Sequence, residues 1–191
     1  MAIPLILRLD IAGAPVRWIP WQDAVCLYSR NLIAWTTGEN VFRFCGGIAR
    51  ASNQRSSITV HSIIAIKHSK RGQHPLRHVP PLSNHELFRR DGNLCMYCGI
   101  EFAEQHLTRD HVVPLSLGGA DKWANVVTAC RSCNTRKGGS TPEQATMPLL
   151  AVPYVPNWAE FLALSNRRIL SDQMEFLKSQ FNRQNRIRGL D

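Results

Sequence analysis

One stretch organises the chain. It runs from Cys95 to Lys137 and reads CMYCGIEFAEQHLTRDHVVPLSLGGADKWANVVTACRSCNTRK. Two Cys-x-x-Cys pairs bracket an Asp-His pair and an asparagine, and a second asparagine directly follows the last cysteine. A gap of two residues lets both sulfurs of a pair reach one ion about 2.3 Å away, and two pairs complete a tetrahedron with no open position. The spacing therefore predicts a structural zinc site formed by Cys95, Cys98, Cys130 and Cys133.

Redox-active pairs and two disulfides are the competing interpretations of these four cysteines. Two matched pairs favour zinc over both, because the signal of a single pair would be weak. The other two cysteines, Cys26 and Cys45, stand alone within apolar runs. We expect both to be buried as small hydrophobic residues.

The segment between the two cysteine pairs predicts a β-hairpin followed by a helix. Residues 107–113 and 125–129 are strand-like, the loop between them contains Gly118-Gly119, and residues 133–137 are helix-like. Asp110 and His111 are neighbours, so on a regular strand their side chains would point to opposite faces. For both to serve one site, the strand must end or bulge at this point, or the two must act from different sides of the scissile phosphate.

This ordered set of motifs resembles the HNH endonucleases of the ββα-metal superfold, over roughly residues 83–140. The matching pieces are Cys-x-x-Cys, Asp-His-Val-Val-Pro, Gly-Gly, Asn-Val-Val and Cys-Arg-Ser-Cys-Asn-x-Arg-Lys-Gly. The resemblance implies that His111 is the general base that activates water, and that Asn125 holds the loop and orients this base. It also implies that Asp110 and Asn134 bind a catalytic divalent ion.

Asn134 stands where many members of that family have histidine, so the chain is an HNN variant. Carboxylate and amide oxygens are hard ligands, which favours Mg²⁺ or Mn²⁺ as the catalytic ion over softer metals. Arg109, Arg136 and Lys137 are close enough in sequence to this set to hold flanking phosphates.

The rest of the chain predicts an α+β protein in which an N-terminal β-rich module precedes the zinc-stapled ββα module, with C-terminal helices after it. The expected boundaries are residues 1–75 for the basic β-rich module, 76–82 for a linker, 83–145 for the HNH core and 146–191 for the helical extension. About two-thirds of the net charge of +9 lies in the first module, which could grip a phosphate backbone or have only a basic surface.

Composition narrows the class of partner. A chain of 191 residues with charge +9 favours a polyanionic partner, DNA or RNA, over a membrane, and no apolar run reaches the roughly 20 residues of a membrane span. The apolar N-terminus lacks a positively charged leader, so a cytoplasmic protein is expected.

These features predict a divalent-metal-dependent endonuclease that nicks DNA as a monomer and would cut both strands as a homodimer or in two visits. The alternative is a non-catalytic, zinc-stabilised module that binds nucleic acid. A redox or metal-sensing protein with reactive thiols is a third and weaker hypothesis.

Overall fold

A computed structural model of the chain describes residues 4–48, 50–51, 53–67 and 79–182. Residues 76–78 of the predicted linker and the arginines of the tail, Arg183, Arg186 and Arg188, lie outside the described residues. The chain divides into two compact units, which fall in the ranges Met1–His78 with Asn166–Phe181 and Val79–Ser165 with Asn182–Asp191. Both contain helices and strands, which confirms the α+β class. None of the helices in the described ranges is long and apolar enough to cross a membrane.

The first unit is built on a four-stranded sheet with the order β2-β1-β4-β3. The strands are β1 (Ile6–Leu9), β2 (Pro15–Ile19), β3 (Ile33–Ile48) and β4 (Arg55–Ile66), and helix α1 (Trp21–Ser29) follows β2. Strands β1 and β4 are parallel, and the other neighbours are antiparallel.

The hydrophobic core of this unit lies between the sheet and α1. It contains Ile6, Ile19, Ala24, Val60 and Ile64. Cys26 and Cys45 are both exposed, so the expectation that they are buried was wrong. Cys45 lies in the last part of the edge strand β3, where residues 45–48 are all exposed, and an apolar run on an edge strand does not require burial.

The two C-terminal helices belong to different units. The sequence pattern places both over the HNH module, but only α4 (Trp158–Ser165) packs there, against α2 (Asn84–Arg90). Helix α5 (Ser171–Lys178) packs on β3 and β4 of the first unit. Its fully buried Gln173 donates hydrogen bonds of 2.9 Å to the backbone carbonyls of Leu5 and Ser62. Amphipathic periodicity predicts that this segment is a helix, but it does not predict which surface the helix packs on, because that depends on the buried Gln173.

The second unit contains the predicted hairpin and helix. After α2 come β5 (Leu107–His111), β6 (Val126–Cys130) and α3 (Arg131–Lys137), and β5 pairs with β6 in antiparallel register. The ββα order is therefore confirmed. Helix α2 begins where the sequence predicts, because the Ser83 side chain accepts a hydrogen bond from the backbone N–H of Glu86. The core beneath the hairpin contains Leu87, Phe88, Leu107, Trp123 and Val126.

Candidate active site

The four cysteines of the two pairs meet in one cluster. Their sulfur atoms all lie within 4.8 Å of one another, and three of the four residues are buried. A tetrahedral zinc ion with bonds of about 2.3 Å separates its sulfurs by roughly 3.8 Å, so the cluster is compatible with a four-thiolate site. Burial acts to raise the pKa of the Cys95 thiol, but backbone N–H groups, first that of Cys130 and then those of Cys98 and Tyr97, outweigh it and bring this pKa to about 7. Burial raises the pKa of the Cys98 and Cys133 thiols.

An open cleft lies where β5 ends and α3 passes beside it. Its volume is about 300 Å³, and Asp110, His111 and Asn134 all contribute to its lining. His111 is the last residue of β5, so the strand ends at the point where the sequence required an end or a bulge. The cleft thus brings together the predicted general base and both predicted metal ligands, although Asp110 is buried and His111 is half-buried.

Asp121 holds the ring of His111. Its Oδ1 lies 3.0 Å from His111 Nε2, and both of its oxygens accept hydrogen bonds from Arg109, at 2.9 and 2.7 Å. The hydrogen bond from Arg109, and then that from His111, lowers the pKa of Asp121 below its ordinary value. An ionised carboxylate only accepts hydrogen bonds, so Nε2 of a neutral His111 carries the proton. The lone pair of the imidazole is then on Nδ1.

The carboxylate of Asp110 is connected to the cysteine cluster and to α3. Oδ1 lies 3.0 Å from the ammonium group of Lys137, and Oδ2 accepts a hydrogen bond from the hydroxyl of Tyr97, which stands between the first two cysteines. Burial first, and then this bond to Asp110, raises the pKa of Tyr97 above its ordinary value, so its hydroxyl stays protonated and donates. Each oxygen keeps a further lone pair for a cation.

Lys137 contributes to the lining of the cleft, but its ammonium group is already engaged. Its side chain is only 1% exposed, and its ammonium group also donates to the backbone carbonyl of His111 at 2.8 Å. Arg109 is likewise engaged, with Asp121 and with Asn84 Oδ1 at 2.9 Å. Arg136 is exposed, and its Nε contacts the sulfur of Met147. Of the three cations expected at flanking phosphates, Arg109 and Lys137 line the cleft but are engaged, whereas Arg136 is exposed but is not part of the lining.

Asn125 is buried and fastens the loop that follows β5. Its Oδ1 accepts from the backbone N–H of Val113 at 2.9 Å, and its Nδ2 donates to the carbonyls of Val113 and Ala120 at 3.0 and 2.9 Å. Gly119 packs against the same backbone, where a Cβ atom would lie 1.8 Å from the Val113 carbonyl oxygen. These contacts fix the chain immediately after His111.

The buried Arg90 holds the other side of this loop. Its guanidinium pairs with Asp91 and donates to the carbonyls of Trp123 and Val126, at 2.9 and 2.8 Å, on either side of Asn125. The hydrogen bonds of Arg90 therefore fix the backbone before and after Asn125.

Asn134 is oriented by its amide nitrogen. Nδ2 donates to Thr108 Oγ1 at 2.9 Å and to the carbonyl of Arg109 at 3.4 Å. Among the described residues, no hydrogen bond engages its Oδ1, which leaves this oxygen for another ligand.

Asp121 and Tyr97 are among the positioning residues of this site that sequence reasoning missed. Both lie within the organising stretch, and their residue types were visible. An aspartate ten residues after the histidine, in a loop that folds back at Gly118-Gly119, is a signal for a partner of the ring. The direction of the Tyr97 hydroxyl depends on how the turn between the cysteines packs on β5, and no local pattern reveals that.

Part of the chain matches a known protein family. Residues 95–150 match the family described as HNH endonuclease. Among solved structures, the chain is similar to the Type II-C Cas9 enzyme from Actinomyces naeslundii, with 20% sequence identity and a TM-score of 0.31. That similarity covers 57% of this chain and only 14% of the Cas9 chain. No curated protein matches the sequence.

Proposed function

We propose that this protein is a divalent-metal-dependent endonuclease that hydrolyses phosphodiester bonds of DNA and nicks one strand as a monomer. The observation that carries the proposal is the shared cleft of Asp110, His111 and Asn134 within the matched HNH segment. The part of the chain that the structure describes contains one cleft with this set of side chains and one general base, so each binding event cuts one strand. Cleavage of both strands requires a second copy of the chain or a second binding event by the same copy.

In this proposal the general base is His111. Nδ1 takes a proton from a water molecule, because Asp121 keeps the other ring nitrogen protonated. Asp121 also stabilises the imidazolium that results, as a carboxylate does beside a catalytic histidine. Arg109 holds Asp121 in place through two hydrogen bonds, so it acts on the base through that carboxylate.

Asp110 and Asn134 would hold the catalytic ion. Both offer oxygen ligands at one cleft, which fits the preference of Mg²⁺ and Mn²⁺ for hard donors. When bound, the ion neutralises charge at the scissile phosphate and the leaving oxygen. Tyr97 and Thr108 orient the two ligands, each by one hydrogen bond. Zinc at the four cysteines would fix the turn that carries Tyr97.

The test is cleavage of supercoiled plasmid by the zinc-loaded protein, with and without Mg²⁺ or Mn²⁺. Wild-type protein should produce open circles only with the divalent ion. His111→Ala should lose cleavage while it retains one zinc ion per chain, since His111 is not one of the four residues of the cysteine cluster. A His111→Ala variant that cuts as fast as wild type would disprove the assignment of the base.

The second candidate is a zinc-stabilised module that binds nucleic acid without cutting it. The observation in its favour is the ion pair between Asp110 and Lys137, because a buried ammonium group already neutralises the carboxylate. Lys137→Met separates the two candidates. Under the nuclease proposal, loss of the ammonium leaves Asp110 uncompensated and Mg²⁺ should restore the lost stability. Under the binding-module proposal, Mg²⁺ should not raise the stability of this variant.

A further inference from the structure

Three arginines surround a second cleft, in the N-terminal unit and outside the matched HNH segment. The cleft measures about 180 Å³ and lies between β1, β2 and α1. Arg8 of β1 and Arg17 of β2 stand directly opposite each other in the antiparallel register. On α1 the lining residues recur at helical spacing, which gives one face of the helix. They are Asp23, Cys26, Leu27 and, at the C-terminal end, Arg30.

Packing does not explain this arrangement of charge. Like charges directly opposite each other destabilise a pair of strands. Within the described part of the chain, none of the three guanidinium groups forms an ion pair with a carboxylate. The Nε atom of Arg8 is buried and has no hydrogen-bond partner. A buried donor without a partner carries an energetic penalty that a ligand would remove.

The electrostatics of Arg8 point the same way. Burial, and then the proximity of Arg17, lowers the pKa of Arg8 from its ordinary value. With three arginines and Asp23 on its lining, the cleft has a formal charge of +2. Its volume exceeds the roughly 30 Å³ that one water molecule occupies in the liquid, so a small oxyanion fits.

We propose that Arg8, Arg17 and Arg30 form a binding site for a phosphate group. The planar guanidinium fork matches two phosphate oxygens at once, and phosphate supplies acceptors in several directions for converging donors. A phosphate monoester near pH 7 carries almost two negative charges, which balances the cleft. The group can come from a nucleic-acid backbone or from a free phosphate ester such as a nucleotide, and the experiment below separates these sources.

The first measurement uses the wild-type, zinc-loaded full chain and needs no variant. Inorganic phosphate is titrated at constant ionic strength while NMR records the Nε–Hε signals of the arginines, and sodium chloride serves as the reference anion. The Arg8 signal should shift and saturate with phosphate. The Arg43 signal, from an exposed arginine on β3 of the same unit, should not. No shift of Arg8 beyond that seen with chloride would overturn the proposal.

The second measurement compares Arg17→Gln with the matched control Arg43→Gln, which removes the same charge from the same unit. Inorganic phosphate should bind about tenfold more weakly to Arg17→Gln than to the control, as loss of a charge-assisted hydrogen bond implies. Equal phosphate affinity in the two variants would overturn the proposal.

The source of the phosphate follows from two ligands measured without Mg²⁺ or Mn²⁺, so that DNA stays intact. If the site holds a backbone phosphate, the slope of log K against log salt for duplex DNA should fall by about 0.9 in Arg17→Gln relative to the control. If it holds a free ester, that slope should match the control while affinity for adenosine monophosphate falls. If neither the salt slope for DNA nor the affinity for adenosine monophosphate differs from the control, the result contradicts the proposed site. All these readouts are independent of cleavage, so a failure here leaves the nuclease proposal untouched.

Discussion

Removing the carboxylate of Asp121 should slow cleavage without changing the fold. Asp121→Ala deletes the acceptor at 3.0 Å from His111 Nε2, and it also releases Arg109. Loss of a group that orients a catalytic ligand or base through a hydrogen bond typically costs 10–100-fold in activity. The Asp121 side chain is 51% exposed, so water replaces part of the interaction and the effect should lie near tenfold. That corresponds to about 1.4 kcal/mol of transition-state stabilisation.

The assay is single-turnover nicking at saturating Mg²⁺, which isolates the chemical step from binding. Asp121→Asn keeps an oxygen acceptor but loses the charge, so its rate should fall between those of wild type and Asp121→Ala. Glu143→Ala is the matched control, because Glu143 is an exposed carboxylate of the same unit that lies outside the cleft. Nitrogen-15 NMR of the His111 ring adds a readout that a purely structural role would not change. Wild type should show the proton on Nε2, and Asp121→Ala should show a mixture of tautomers.

Asp121 does not position His111 if Asp121→Ala nicks at the wild-type rate and keeps the Nε2–H tautomer. A reduced rate with an unchanged tautomer would place the role of Asp121 elsewhere, in DNA binding or in the position of Arg109.

Three further predictions follow from other contacts of the second unit. Tyr97→Phe removes the hydroxyl that donates to Asp110. The Mg²⁺ concentration for half-maximal cleavage should therefore rise roughly tenfold, while the zinc content stays the same. An unchanged Mg²⁺ dependence would contradict this prediction. Arg90→Met leaves the buried Asp91 unpaired and should cost about 3–5 kcal/mol of unfolding free energy in urea, whereas the exposed Arg131→Met should cost much less. Cys130→Ser should lose zinc by elemental analysis and lower the unfolding temperature of this unit, and full stability without the metal would count against a structural zinc.

The features that the sequence predicted best are those whose chemistry is local. The cysteine spacing and the strand-turn-strand-helix order depend on residues close together in the chain, and the structure contains both. The meeting of Asp110, His111 and Asn134 at one cleft was implied by family resemblance rather than by local pattern. Their chemical roles stay predictions until activity is measured.

The features that the sequence could not predict depend on contacts between distant segments. Lys137 has the residue type of a phosphate ligand, but it lies on the buried face of α3 and forms an ion pair with Asp110 instead. Helix α5 has an amphipathic pattern that fits either unit, and buried Gln173 decides between them through hydrogen bonds to residues more than 100 positions away. Strand β3 continues past Gly38, a residue that commonly ends a strand, because its pairing with β4 resumes after an irregularity between Thr37 and Val41.

The most direct measurement of the central claim is paramagnetic broadening by Mn²⁺ in the zinc-loaded protein. The claim is that His111, Asp110 and Asn134 share one hydrated ion. Substoichiometric Mn²⁺ should therefore broaden the ring signals of His111 and the side-chain amide signals of Asn134 together, and Asp110→Asn should weaken both effects in parallel. If Mn²⁺ leaves these two residues sharp, or broadens them equally in Asp110→Asn, the three side chains do not form a metal-dependent hydrolytic site.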